Sequence, residues 1–177
     1  MLIARRAALK LALTAVPAAY VSTVFVSSAH AVDALPDARF VGWAEAVNDF
    51  EVASGNLALS RSGNEIVRGY ATRMIAEHIE AASYLVKSRA EAGVSYAPDP
   101  AAPPNTHAIL RRLSGLQGPE FDTSYANAQL GIQTDAVAQY GAYSQNGNSG
   151  PLKKYAQMMY PKSQEFLEYA KRMAGGR

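Results

Sequence analysis

Four long stretches of this chain repeat apolar residues every three or four positions, and nowhere does a two-residue alternation persist. A stripe at that spacing winds onto one face of an α-helix, whereas a half-buried strand needs alternation. The first stretch runs from about Asp37 to Ser60, with Phe40, Trp43, Val47, Phe50, Leu57 and Ala58 on its apolar face. Pro36 just ahead of it suits a helix start, where no backbone donor is needed. The second carries Val67, Tyr70, Ala71, Met74, Ile75, His78, Ala82 and Leu85. Ser62, followed three residues later by Glu65, reads as a capping box for it, and Gly93 as its stop. The third starts near Pro119 and carries Phe121, Tyr125, Ala128, Ile132, Ala136 and Tyr140, ending in the Gly/Asn/Ser cluster from Gly141 to Gly150. The fourth runs from about Pro151 to Met173 through Leu152, Tyr155, Met159, Phe166 and Ala170, with Pro161 inside it as an expected kink. The pattern predicts an all-α fold, an antiparallel four-helix bundle. Between the second and third helices lie Pro98, Pro100, Pro103 and Pro104 and a short helix from Thr106 to Leu113, either a crossover or an elaborated end loop.

Residues Met1 to Ala31 read differently. Arg5, Arg6 and Lys10 precede an uncharged run from Leu11 to Val26, and Ala29 and Ala31 then supply small side chains for a signal peptidase. A positive start, an apolar middle and a small-x-small end predict a cleaved export signal, leaving residues 32–177 as one bundle domain. The Arg5-Arg6 pair with Leu9 and Lys10 resembles a twin-arginine signal, so export by either the Sec or the Tat route is open.

Composition narrows function once the leader is set aside. Losing Arg5, Arg6 and Lys10 takes the formal net charge from +2 to −1. The basic balance of the full chain therefore resides in the leader, and nucleic acid is not an expected partner. No stable membrane span is expected after cleavage. The absence of Cys excludes disulfides, thiol nucleophiles and cysteine-ligated metals. The domain must then depend on its hydrophobic core.

Polar residues that fall on the apolar stripes carry the chemical information. His78 has Met74, Ile75, Ala82 and Leu85 as helical neighbours and should point inward. Glu51 falls near Val47, Ser54 and Ala58 at the edge of the first buried face. Glu77, Glu80 and Asp135 lie close to the relevant faces, and Gln129 and Gln133 are polar on the inner side of the third helix. A bundle core can hold iron, manganese or zinc between such groups, which makes Glu51, Glu77 and His78 the candidate metal ligands. Against this, Ile75 stands where a Glu-x-x-His motif needs its carboxylate, and no other long helix contains His. The simpler reading is a buried His78 hydrogen-bonded to Glu51 or to a glutamine, with no cofactor. No phosphate-binding glycine loop and no Gly-x-Ser-x-Gly elbow occurs. A surface around Trp43 and Tyr96 is the candidate for transient envelope association.

The run from Glu51 to Leu59, then Val67, then Met74 to His78, resembles the exported bacterial family called domain of unknown function 4142. Gly118, Phe121, Asp122 and Tyr125, and later Tyr160-Pro161, continue the match over roughly Phe40 to Ala170. The resemblance implies a ferritin-like four-helix bundle without an established activity. It also implies an acidic residue and His on the second helix, matched by Glu77-His78, and further His residues where this chain has Gln133 and Phe166. The expected function is that of an exported non-enzymatic binding or envelope-associated module, its partner an envelope protein or small ligand. The alternative is a ferritin-like metal-binding or metal-dependent oxidoreductase domain with a degenerate site around Glu51 and His78.

Overall fold

The computed structural model describes residues 32–95 and 106–175. The leader, Tyr96 and the four linker prolines lie outside the described residues. Those described form five helices and no strand: α1 (Asp37–Arg61), α2 (Glu65–Glu91), α3 (Thr106–Ser114), α4 (Gly118–Asn146) and α5 (Gly150–Ala174). Among them, no helix is long and apolar enough to cross a membrane.

Local chemistry accounts for most of the helix ends. Pro36 precedes α1 and its carbonyl accepts the Phe40 N–H at 2.8 Å. The start of α2 departs from the capping box expected of Ser62 and Glu65. Asn64 is the N-cap, its side chain accepting the Ile66 N–H at 2.9 Å, while Ser62 Oγ accepts the Asn64 N–H at 3.0 Å. Glu65 is thereby the first helical residue, too early to reach back as the third residue of a box, and Asn caps at least as well as Ser. Gly93 closes α2 with φ of 65°, a left-handed conformation that costs glycine little.

The third long helix, α4, continues beyond Gly141 to Asn146. Gly141 is a packing position, because a Cβ there would stand 2.9 Å from the Tyr160 ring. α5 runs on as helix through Pro161.

The largest helix interface joins α4 to α5, followed by α1 to α2; smaller ones join α2 to α5 and α1 to α4, and α3 rests on α1 and α4. Two hydrophobic clusters result. One gathers Phe40, Trp43, Val47, Phe50, Leu85, Tyr140, Tyr143, Leu152, Tyr155 and Met159. The other gathers Ala58, Val67, Tyr70, Met74, Leu113, Phe121, Tyr125 and Phe166. In the first, Phe40 stacks on Tyr143 at 3.7 Å between ring centroids and Trp43 meets Tyr140 edge-on at 4.9 Å. Aromatic pairs of this kind add about 0.5–1.5 kcal/mol to the burial of their area.

Trp43 is thus not part of an exposed envelope-binding surface. It is 4 % exposed, and its Nε1 donates to Asp135 at 3.0 Å. The reason is helical: Trp43 lies one turn from Phe40 and from Val47, so the indole shares their inward face.

Candidate functional site

Each of the four long helices contributes buried polar side chains where one hydrophobic cluster gives way to the other. α1 supplies Asn48, Glu51 and Ser54; α2 supplies His78; α4 supplies Gln129 and Gln133; α5 supplies Ser163. Each sits on its helix's apolar stripe, and that spacing brings them to one interior level.

Glu51 is fully buried. Its Oε2 accepts from Gln129 Nε2 at 2.7 Å and its Oε1 from Gln133 Nε2 at 2.9 Å. Gln129 is fixed in turn by the Tyr70 hydroxyl, which donates to its Oε1 at 3.0 Å, and by Ser54 Oγ, 3.3 Å from its Nε2. Burial pushes the Glu51 carboxyl up to about 8, and the two amide donors offset only part of that shift. Uncompensated burial disfavours the charged form, so near neutral pH this carboxyl is mostly protonated. The Gln133 Oε1 atom is buried without a hydrogen-bond partner.

His78 forms a second arm. Its Nδ1 lies 2.9 Å from Asn48 Oδ1, and Asn48 Nδ2 donates to the Tyr155 hydroxyl at 3.2 Å. With the amide so engaged, Asn48 Oδ1 can only accept, which assigns the proton to Nδ1 of a neutral imidazole. Burial lowers His78 to about 3, and the charge of Lys162 acts in the same direction. The partner of His78 is Asn48, not the Glu51 carboxylate or a glutamine expected from the stripes. Asn48 and Glu51 stand one turn apart on α1, which sets the two arms side by side.

Glu77 belongs to neither arm. It pairs with Lys162 on α5 and lies 4.0 Å from Arg73, with its side chain 24 % exposed. Consecutive helical residues diverge by about 100°, so Glu77 and His78 cannot share a face. Asp135 is held by Trp43, Glu80 is exposed, and His107 is exposed on α3.

The two positions where the family resemblance implies further His adjoin the network. Gln133 donates to Glu51, and the Phe166 ring lies 6.3 Å from the His78 ring. Neither residue fits a metal site here. Gln133 presents its amide N–H to the carboxyl rather than a lone pair to a cation, and Phe166 has no donor atom. Among the described residues no three His, Asp or Glu side chains group so as to hold a metal ion. What the network can do chemically is keep one carboxyl protonated and one imidazole neutral inside an apolar bundle. Asn48 was the member that sequence reasoning missed. Its one signal was its place beside Val47, three residues before Glu51.

No curated protein and no solved structure matches the chain. The model of one family does match, over residues 24–173, nearly the whole of the bundle and its motifs from Glu51 to Tyr160-Pro161. The chain belongs to the family described as Domain of unknown function (DUF4142).

Proposed function

We propose that the domain is an exported, non-catalytic binding or envelope-associated module, built as an antiparallel ferritin-like four-helix bundle whose polar interior is structural. The observation that carries this reading is the double acceptance by Glu51, which commits both of its oxygens to amide donors. A protonated carboxyl whose two oxygens already accept from amides offers little to a metal ion.

The contact pairs support the antiparallel arrangement. Asp37 meets Tyr143 and Glu51 meets Gln129, so α1 and α4 run in opposite directions. Asn48 meets His78 and Gly55 adjoins Ile75, so α1 and α2 also run in opposite directions. In this reading α2 and α4 run the same way, which favours a ferritin-like crossover between them. Export rests on the features of Met1 to Ala31: N-terminal sequencing of the periplasmic protein should begin at Val32. Replacing Arg5 and Arg6 with Lys should block export by the Tat route and spare the Sec route.

The central test is elemental analysis of protein purified natively from the periplasm. The expected result is no stoichiometric iron, manganese or zinc, with His78→Ala lowering stability alone. About one metal per chain, lost in His78→Ala, would overturn this reading in favour of a metal-dependent site around Glu51 and His78.

A further inference from the structure

The outward face of α2 carries a repeat that the core does not use. Thr72, Ile79 and Val86 recur every seventh residue with Gly69, Ala76 and Ser83 between them, and all six are exposed. Steps of three and four residues lay them in one line along the helix. Ile79 is 54 % exposed and Val86 52 %, and Ile66 and Tyr84 on the same helix are also large apolar side chains open to solvent. Gly69 is a second, separate feature. It lies inside α2, and a Cβ there would meet nothing within 4 Å. Glycine inside a helix costs stability relative to alanine, and no packing within the described chain requires it at this position. The hydroxyls on the face are already satisfied: Thr72 Oγ1 donates to the Arg68 carbonyl at 2.9 Å and Ser83 Oγ to that of Ile79 at 3.2 Å. The face can therefore be covered without stranding a donor.

We propose that this face of α2 docks against the same face of a second copy of the chain, antiparallel about a two-fold axis between Ala76 and Ile79. In that register each bulkier side chain meets a small one: Val86 over Gly69, Ile79 over Ala76 and Thr72 over Ser83 of the second copy, and the reverse. A two-fold contact demands such self-complementarity, because a residue that meets another must be met by it in turn. An unrelated partner would impose no relation between the two halves of one helix face. Parallel docking would stack Val86 on Val86 and leave Gly69 facing Gly69 across a gap.

The flanking charges fit the same register. Arg73 of one copy comes beside Glu80 of the other, and Lys87 beside Glu65, each pair formed twice. Arg73 gives two N–H groups to Glu165 at 2.6 and 2.7 Å and has donors left for a second carboxylate. Arg68 and Arg89 meet on the other flank, where Arg68 is turned back onto the carbonyls of Leu59 and Ser62. One helix from each copy makes an interface at the small end of specific contacts, below about 1,200 Å², so association in the micromolar range is expected. The proposal goes beyond the structural reading of the interior. Elemental analysis tests that reading and self-association tests this one, so the two can fail separately.

The experiment is sedimentation equilibrium of the leaderless chain from about 1 µM to about 1 mM. The expected result is a reversible monomer–dimer equilibrium, weakened tenfold or more by Ile79→Arg and by Gly69→Leu. Both positions face solvent in the single chain, so the helical circular dichroism should stay unchanged in each variant. Glu80→Arg and Arg73→Glu should each weaken self-association, and mixing the two variants should restore it, because every flank then sets Arg against Glu. A chain that stays monomeric at about 1 mM would overturn the proposal. Dimers indifferent to Ile79→Arg would do the same, as would charge variants that fail to recover on mixing.

Discussion

The interior of the bundle and the groove at its end, lined by Ile66, Asp122, Tyr169 and Arg172, handle polar groups differently. Around Glu51 and His78, groups that would ordinarily be charged are buried, neutral and tied to amides. At the groove, Arg172 lies exposed over the Tyr169 ring in the field of Glu165 and Glu168, and Asp122 is half-buried. Burial explains the difference. A buried group without a partner costs about 1–3 kcal/mol, so Glu51, Gln129, Asn48 and His78 are tied to neighbours with Gln133 Oε1 left over, whereas water serves an exposed charge such as Arg172. A buried hydrogen-bonded network is suited to specifying how helices fit together, and exposed charges exchange their partners with water.

The largest effect that could break this comparison comes from Glu51→Ala. It strands the amide donors of Gln129 and Gln133 and leaves a cavity, and urea denaturation should register a loss of about 3–5 kcal/mol. A loss below about 1 kcal/mol would mean that the interior is as open as the groove.

Next in size is the dependence of stability on pH. Glu51 is raised from 4.5 to about 8, so its contribution is fully present below about pH 4.5 and is lost as pH rises through 8. His78 is lowered from 6.5 to about 3, so its contribution is present above about pH 6.5 and is lost as pH falls through 3. The urea midpoint should therefore peak between roughly pH 4.5 and 6.5, where the two slopes cancel, with each limb worth about 2 kcal/mol at its extreme. Glu51→Gln should flatten the alkaline limb and leave the acid limb standing. An alkaline limb unchanged in that variant would place its origin elsewhere.

Tyr70→Phe deletes one donor to Gln129 and keeps the ring, so a loss of about 1 kcal/mol in thermal or urea unfolding is expected. The smallest effects belong to the groove. Asp122→Asn and Arg172→Gln should change unfolding free energy by no more than about 0.5 kcal/mol, since water screens the exposed Arg172 from Glu165 and Glu168 and Asp122 makes no ion pair among the described residues. A destabilisation as large as that of Tyr70→Phe would show these charges to be structural.

Much of the interior was legible in the sequence because it rests on local spacing. His78, Gln129 and Gln133 interrupt apolar stripes, and a polar residue on such a stripe is turned inward by the 3.6-residue repeat. Glu51, expected at the edge of a buried face, is wholly buried. The partners were not legible. Asn48 and His78 lie 30 residues apart, and Glu51 and Gln129 lie 78 apart, so no local rule connects them. Glu77 looked like a companion of His78 by adjacency, yet adjacency on a helix separates side chains, and Lys162 takes it. Trp43 looked available because large aromatics are common at binding surfaces, but its register with Phe40 buried it.

The sequence by itself determined an all-helical chain, the stop of its second helix at Gly93, and that His78, Gln129 and Gln133 face the core. All of these follow from backbone preferences and side-chain repeat within a single helix. The tertiary structure alone decided that Glu51 meets two glutamines, that His78 meets Asn48, and that Asp122 and Arg172 share one groove. Those pairings depend on the rotation and register of one helix against another, which packing across the whole core fixes and no short stretch of chain encodes.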